Sequence, residues 1–228
     1  MASKEIALSV ANAALVPGEP QARAVQERRR WRPRGERLRS EFLLRGSPGR
    51  QELEAFVARA FSAAHDAHVQ SFMPELVSFS DSQGRIKAVA GLREAVRERL
   101  FLEQYLELPV ESAIASVTGT APARAEIVEI GSLAAHSRWD AMRAATLLPG
   151  LLLARDFRWI VFTATAAVQQ ILKGLGAPLA ELARAESHRL SGGADCWGRY
   201  YATDPRVFAG HLPDSLIIPG FQPGGFGY

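Results

Sequence analysis

The sequence predicts an α/β fold in which a mixed central sheet is flanked by helices. Residues 75–80 and 85–91 are strand-like runs joined by a polar turn of hairpin length, which indicates two adjacent antiparallel strands. The second half of the chain alternates helical and strand patterns, as expected of helices that cover a sheet. Within it, residues 159–162 form a short and almost wholly apolar run, typical of an interior strand buried on both faces.

The first helix is expected directly after Ser47 and Pro48, because proline is favoured in the first helical turn. Beyond the hairpin, residues 92–105 are expected to form another helix. A loop after Pro109 should then lead to a third strand over residues 125–133. Apolar residues of the first helix recur at helical spacing and predict a buried stripe, which comprises Leu53, Phe56, Val57, Ala60, Phe61 and Ala64.

Four more elements are expected after the third strand, besides the interior strand at 159–162. Ser137 opens a Ser-x-x-Asp capping pattern, which is the start signal of a helix. Thr165 opens the next helix, and Gly174 should close it. Residues 179–185 are expected to add one or two helical turns, and residues 197–201 to form the last strand.

Composition indicates one domain between two less regular segments. Residues 1–35 are interpreted as a flexible basic leader, residues 36–205 as the domain, and residues 206–228 as a tail rich in glycine and proline. Of the 228 residues, 47% are hydrophobic, which suffices for one buried core.

The sequence shows neither an apolar run long enough to span a membrane nor the apolar core of a signal peptide, so a cytoplasmic protein is expected. Cys196 is the only cysteine, which excludes an internal disulfide and a thiolate cluster, and no metal is expected.

Residues 23–39 form an arginine-rich arm, which contains eight arginines and only two glutamates. Such an arm suits contact with a membrane surface or with another acidic partner, such as an acyl carrier protein. The other interpretation is a solvated basic extension, since charge runs are often simply exposed. The net charge of +3 is too small to indicate a specific nucleic-acid partner.

Two short motifs resemble those of acyl-homoserine-lactone synthases, a branch of the GNAT acyltransferase superfamily. Gly91-Leu92-Arg93 is similar to their Gly-x-Arg, and residues 128–134 are similar to their Glu-x-x-x-Phe/Leu-Ala. Over about residues 55–210 the chain also resembles the thermostable hemolysin family. The stretches that carry this second resemblance are FMPEL (72–76), LFLEQYL (100–106), IVEIG (127–131), VFTAT (161–165) and WGRYY (197–201).

These resemblances imply a GNAT-like fold whose central strands splay to admit the pantetheine arm of an acyl donor. The implied activity is transfer of an acyl group from acyl-CoA or an acyl carrier protein to the amine of a small, amino-acid-like acceptor. The family name suggests a different activity, that of a membrane-active hemolysin. A third interpretation is a GNAT module that binds acyl chains or a partner without catalysis.

The donor-phosphate loop departs from the GNAT pattern, because residues 135–140 lack the glycines whose amides hold a pyrophosphate. A phosphate could instead lie at the start of the helix after Ser137, where free amides favour an anion and Arg138 adds positive charge. A carrier protein presents a single phosphodiester, which needs fewer hydrogen-bond donors from such a site than a pyrophosphate does. It is therefore an alternative donor to coenzyme A.

The candidate catalytic base is Glu129, because amine acylation needs a proton acceptor beside the nucleophile. On a strand, Glu126 falls on the other face. The alternative role of Glu129 is a structural carboxylate paired with Arg93 or another arginine. Arg93 is expected to bind a substrate carboxylate or to orient Glu129, and the alternative is an ordinary surface ion pair.

The remaining candidates surround the expected donor. Ile130, Gly131 and Ser132 are expected to offer backbone amides to it, and the alternative is a bulge without a ligand. Thr163 lies at the carboxyl end of the apolar strand, where ligands usually enter open sheets, and is expected to contact substrate. Tyr200 is the expected general acid for the leaving thiolate, with core packing as the alternative.

Overall fold

A mixed sheet forms the centre of the protein in the computed structural model, which describes residues 14–15, 37–69, 71–174, 178–191 and 195–215. The strand order is β2-β3-β4-β5-β6-β8-β7, and β1 pairs with β5. Two pairings are parallel, β5 with β6 and β1 with β5, and the others are antiparallel. The predicted mixed sheet is therefore confirmed. The strands are β1 (Ala14–Leu15), β2 (Arg39–Leu44), β3 (Glu75–Ser80), β4 (Ile86–Glu94), β5 (Ile127–Ala135), β6 (Trp159–Ala164), β7 (Leu179–Arg184) and β8 (Arg206–His211).

Helices cover both faces of this sheet and divide the core into two apolar clusters. One cluster packs beneath the first two helices, and the other lies beneath the third and last helices. Strands β3, β4, β5, β6 and β8 are thus buried along most of their length, which explains the apolar run in β6. The helices are α1 (Arg50–His65), α2 (Val110–Thr118), α3 (Arg138–Leu153), α4 (Ala166–Gly174) and α5 (Leu212–Ser215).

Several predicted elements are confirmed. Helix α1 begins just after Pro48, and its predicted stripe lies in the core cluster or packs against it. The hairpin of β3 and β4 turns at residues 81–84, where the buried carboxylate of Asp81 accepts the backbone N–H of Arg85 at 2.9 Å. Ser137 caps α3 by accepting the N–H of Asp140 at 3.1 Å.

The helix predicted over residues 92–105 is wrong. Leu92–Glu94 continues β4, because these residues pair with Ile130, Glu129 and Val128 of β5. Only residues 101–104 are helical, as one 3-10 turn. The ladder with β5 satisfies the backbone of 92–94 and outweighs the helical propensity of the sequence.

The loop predicted after Pro109 is also wrong, because that segment forms α2. Pro109 lies at the N-cap, and Gly119 ends the helix in the left-handed conformation with φ of 76°. Proline at a helix start and glycine at its end are a recognised pair of signals, so this helix was readable from the sequence.

Two predictions near the C-terminus are wrong as well. The residues expected to form helical turns at 179–185 form the edge strand β7, which pairs with β8. The strand expected at 197–201 is replaced by 3-10 turns over Asp195–Trp197 and Tyr200–Thr203. Gly198 between them has φ of 53°, and a Cβ there would lie 2.2 Å from the carbonyl oxygen of His65. The chain passes too close to α1 at this point for an extended run with a side chain.

The domain boundary predicted at residue 205 needs correction, because β8 lies beyond it and pairs with both β6 and β7. At the other end, Ala14–Leu15 of the predicted leader pairs with Ala134–Ala135 of β5. The rest of residues 1–35 and the tail from residue 216 lie outside the described residues, so the predicted flexibility of the leader stays a prediction.

Candidate active site

The sheet opens between its two central parallel strands. β5 and β6 pair at three positions only, from Ile127 with Trp159 to Glu129 with Val161. Both strands then continue, β5 to Ala135 and β6 to Ala164, without further pairing to each other. Because β4 occupies one edge of β5, β1 lies at the other edge, which faces β6. Within the described part of the chain, the edge of β5 that faces the opening is therefore unpaired over residues 130–133, between the end of β6 pairing and β1.

A bulge in β5 lies at this opening. Val89 pairs with Ala134 and Gly91 with Gly131, so β5 uses one residue more than β4 between these pairs. Ser132 takes up the extra residue in the left-handed conformation, with φ of 53°. Bulges of this kind bend a strand and end regular pairing. The bulge alternative for residues 130–132 is thus present, while a role for their amides in donor binding stays a prediction.

Gly91 allows a close approach on the neighbouring strand. A Cβ at this position would lie 2.6 Å from Cγ of Met73 and 3.2 Å from Cβ of Ser132. Any larger residue would push the bulge or the Met73 side chain away. Close packing against Met73 and Ser132 therefore explains why the first residue of the Gly-Leu-Arg motif is glycine.

Glu129 is the last residue of β5 before the opening, and it is completely buried. Its carboxylate accepts two backbone N–H groups, that of Phe101 at 2.8 Å and that of Leu102 at 3.1 Å. Burial raises the pKa of Glu129 to about 7, although the charge of Arg93 and the two N–H groups oppose this rise. A carboxyl group with a pKa near neutrality exchanges its proton readily at physiological pH, as a general base must.

Arg93 lies directly across the strand pair from Glu129 and therefore on the same face of the sheet. It is 5% exposed, so it is not the surface residue of the alternative interpretation. One Nη donates to the carbonyl of Arg99 at 3.3 Å and lies 3.5 Å from the Glu98 carboxylate. Its Nε is buried and has no hydrogen-bond partner within the described part of the chain.

An aromatic cluster surrounds this face near Glu129. Its residues are linked by ring contacts, and the hydroxyl groups of Tyr105 and Tyr201 lie 2.6 Å apart. The pKa of Tyr105 is well above its ordinary value, chiefly through burial, and the charge of Glu129 adds to the rise. The carboxylate is therefore close to this cluster. Its members are His65, Phe61, Phe101, Tyr105, Trp197, Tyr200 and Tyr201.

Tyr200 lies inside that cluster rather than on a strand. Its hydroxyl is buried and has no hydrogen-bond partner among the residues described. Burial raises its pKa well above the ordinary value, so the hydroxyl stays protonated at neutral pH. The group is able to donate a proton or a hydrogen bond, and its role as general acid stays a prediction.

The other predicted contacts lie farther along the opening. Thr163 is buried on β6 beyond the last pair with β5, on the same face as Val161 and hence as Glu129. Ser137 and Arg138 start α3, two residues after β5 ends. The hydroxyl of Ser137 also donates to the carboxylate of Asp140 at 2.7 Å, which leaves a negative charge at this helix start. A phosphate contact here and a substrate contact of Thr163 stay predictions.

Sequence reasoning missed the two amides that hold Glu129. They come from the LFLEQYL stretch, which is one of the stretches that carry the family resemblance. In the helix predicted there, these N–H groups would have bonded to carbonyl groups of the preceding helical turn. Among the residues described, no cluster of three histidine, cysteine, aspartate or glutamate side chains is suited to a metal ion. Likewise, none of the described helices combines the length and apolar character needed to cross a bilayer.

Comparison with known proteins gives a family and a fold. The family model described as thermostable hemolysin matches residues 43–216. The AHL synthase LasI is similar in structure, with a TM-score of 0.54 at 14% identity, over 82% of this chain and 97% of LasI. FeeM, an N-acyl amino acid synthase from uncultured soil microbes, gives a TM-score of 0.53 at 9% identity, over 81% and 99% of the two chains. TofI, in a ternary complex with an inhibitor and MTA, gives 0.53 at 15% identity, over 81% and 97%. A comparison of the sequence with curated proteins finds no match.

Proposed function

We propose that this chain, which belongs to the thermostable hemolysin family as the sequence resemblance predicted, is an N-acyltransferase. It would move an acyl group from an acyl thioester, carried by coenzyme A or by an acyl carrier protein, to the amine of a small amino-acid-like acceptor. The fold supports this proposal, since it matches those of LasI and FeeM, two proteins named as synthases of acylated products. At identities of 9–14% the likeness is one of fold, and the function depends on the site.

One observation carries the proposal: a fully buried carboxyl group with a pKa near 7 lies where two central strands separate. Perturbed carboxyl groups in such openings are typical of general bases. In the proposed reaction, Glu129 accepts a proton from the acceptor amine as the nitrogen attacks the thioester carbonyl. A C–N bond forms, the C–S bond breaks, and the leaving sulfur takes up a proton.

The donor would lie along the unpaired edge of β5. A thioester-bearing pantetheine arm contains amide groups, which suit an exposed strand edge because they satisfy its free backbone groups. The bulge at Ser132 bends β5 beside this edge, and Gly131 lets the arm approach closely. Ser137 and Arg138 at the start of α3 would meet the donor phosphate, although Asp140 makes this site weaker than a glycine-rich loop.

Arg93 and Tyr200 complete the proposed roles. The buried Nε of Arg93 would bind a carboxylate of the acceptor, which favours amino acids over simple amines. The Tyr200 hydroxyl, buried and protonated, would supply the proton for the leaving thiolate. Thr163, which lies on β6 on the same face of the sheet as Glu129, would contact the acceptor or the acyl carbonyl.

The test is incubation of the purified protein with acyl-CoA and acyl carrier protein thioesters of several chain lengths, together with pooled amino acids. Free thiol release and mass spectrometry of the products are the readouts. We expect an N-acyl product that depends on Glu129 and is lost in Glu129→Gln. Binding of thioesters without thiol release at any chain length would contradict the proposal and favour a non-catalytic module. Leakage of liposomes that persists in Glu129→Gln would favour the hemolysin.

A further inference from the structure

The two amides that hold Glu129 belong to a single short turn, residues 101–104. The first N–H groups of any helical turn lack partners within the turn itself, so they are available to an external acceptor. Phe101 and Leu102 supply two such groups, one to each oxygen of Glu129. Since the turn is separated from β5 by more than twenty residues, something other than local sequence must hold it in place.

Glu103, the third residue of the turn, provides that support. Its carboxylate accepts the N–H of Leu100 at 2.8 Å and the N–H of Val110 at 3.1 Å. One acceptor thus fixes both the start of the turn and the start of α2. Glu103 is only 6% exposed, so these bonds are largely shielded from water.

Arg124 binds the same carboxylate through both arms of its guanidinium group. Its Nη atoms lie 2.8 and 2.9 Å from the two oxygens of Glu103, the bidentate arrangement that gives Arg–carboxylate pairs their strength. The Nε donates to the carbonyl of Ala95, just beyond β4, at 2.7 Å. A further bond of 2.8 Å reaches Glu111 on α2. This one side chain therefore joins the end of β4, the turn, α2 and the approach to β5.

We propose that Glu103 and Arg124 are positioning residues that hold the amides of Phe101 and Leu102 against Glu129. The proposal deepens the function proposed above and rests on it in so far as Glu129 is the base. Neither residue touches the Glu129 carboxylate in this arrangement. Each acts through the turn, which carries the two donors.

Charged and titratable groups approach Glu129 from several elements. Arg93 on β4 lowers the pKa of Glu129 through its charge, whereas the negative charge of Glu103 raises it. Tyr105, at the end of the turn, is close enough for its own pKa to respond to Glu129. His65 on α1 and Tyr200, the first residue of the 3-10 turn Tyr200–Thr203, belong to the same aromatic cluster. The amide donors are the part of this environment that Arg124 controls.

The decisive variant is Arg124→Gln, with Arg124→Lys as a milder second variant that keeps the charge but loses the two-armed geometry. Arg206→Gln is the matched control, because Arg206 also bridges two carboxylates, is similarly exposed, and lies far from the turn in sequence. Glu111→Gln is a second control that removes only the outer partner of Arg124. The readouts are carbon NMR titration of Glu129, assigned with Glu129→Gln, and hydrogen exchange of the Phe101 and Leu102 amides.

In Arg124→Gln we expect exchange of these two amides to become at least about tenfold faster. The pKa of Glu129 should rise by about 0.5 to 1 unit, because its charged form loses donors while the surrounding core still excludes water. Arg124→Lys should shift both readouts in the same direction by less, and both controls should match the wild type. The acid limb of the pH–rate profile should move with the pKa.

Unchanged exchange and an unchanged titration in Arg124→Gln and Arg124→Lys would overturn the proposal. A fall of the pKa toward its ordinary value would overturn it too, since the turn would then act as a cover against water rather than as a holder of donors. Both readouts are independent of turnover. If the wild type transfers no acyl group, the proposed function fails while the positioning role can still be confirmed or rejected.

Discussion

Two buried carboxylates on the same side of the sheet, Glu129 and Glu103, have opposite properties. Each accepts two backbone N–H groups, and their exposures are 0% and 6%. Burial tends to raise the pKa of both. For Glu103, the bidentate bond with Arg124 and the two N–H groups bring the pKa below its ordinary value. Arg93 makes no such bond with Glu129, so the effect of burial prevails and the pKa of Glu129 is raised.

The difference teaches that a bidentate charge partner can outweigh burial, whereas a carboxylate that is buried more deeply and lacks such a partner titrates near neutral pH. Glu103 is held ionised and serves the structure, as its contacts to the turn and α2 indicate. Glu129 can hold or release a proton near neutral pH. The four predictions below test this contrast, beginning with the largest expected effect.

Glu129→Gln should lower kcat/KM for acyl transfer by about 10² to 10⁴, the usual contribution of a general base, because the amide cannot accept the amine proton. The variant should keep the fold, since Gln has the same shape and removes a buried charge, although its amide nitrogen cannot accept one of the two N–H groups that the carboxylate accepts. Steady-state kinetics and thermal unfolding check the two parts. Glu126→Gln, one residue before the same strand, is the control and should retain activity, since the Glu126 carboxylate accepts the N–H of Ala123 in the preceding turn. Full activity in Glu129→Gln would remove Glu129 from the mechanism.

Glu129 should also make stability depend on pH. Its pKa is raised from 4.5 to about 7 in the folded state, so the folded protein binds a proton that the unfolded chain has released. Stability from this group is complete below about pH 4.5 and is lost as the pH rises through 7. Relative to Glu129→Gln, the wild type should lose about 2.5 kcal/mol of unfolding free energy between pH 5 and pH 8.

Urea denaturation of both proteins at several pH values measures this difference. Parallel pH dependences of the wild type and Glu129→Gln would show that Glu129 does not titrate in this range. Glu103 should act in the opposite sense, because its lowered pKa makes the protein lose stability as the pH falls below the ordinary range of a glutamate.

Glu103→Ala should destabilise the fold by about 2 to 3 kcal/mol, because two N–H groups and Arg124 lose their acceptor. The effect is below that of a fully buried pair, since Arg124 is 30% exposed. Urea denaturation checks it. Glu186→Ala is the control, as Glu186 is exposed and its contact with Arg189 is a surface pair that should contribute less than about 1 kcal/mol. Equal stabilities of the two variants would contradict a structural role for Glu103.

Arg93→Gln should raise the pKa of Glu129 by about one unit, because it removes the positive charge that opposes the effect of burial. The acid limb of the pH–rate profile should move upward by the same amount. Arg97→Gln should leave the profile unchanged, since Arg97 is 75% exposed and pairs with Glu94. A profile that does not move in Arg93→Gln would show that Arg93 exerts little charge effect on the base.

Local patterns in the sequence predicted much of the sheet and the position of Glu129. The alternation expected of a strand placed Glu129 and Glu126 on opposite faces. The apolar run at 159–162 predicted an interior strand. The prediction failed at 92–105, 179–185 and 197–201. At 179–185 the residues favour a helix, but a neighbouring strand offers backbone partners that the sequence window does not contain.

The sequence by itself determined that β5 carries a carboxylate before a glycine and that Arg93 follows Gly91, because these facts need only residue identity and spacing. Tertiary structure alone decided that the carboxylate becomes a titrating group near neutral pH. That property depends on complete burial and on two amides 27 and 28 residues away. It also depends on the arginine that binds Glu103 and leaves Glu129 without an equivalent partner. Solvation and charge are set by neighbours in space, and a linear pattern does not record which residues those neighbours are.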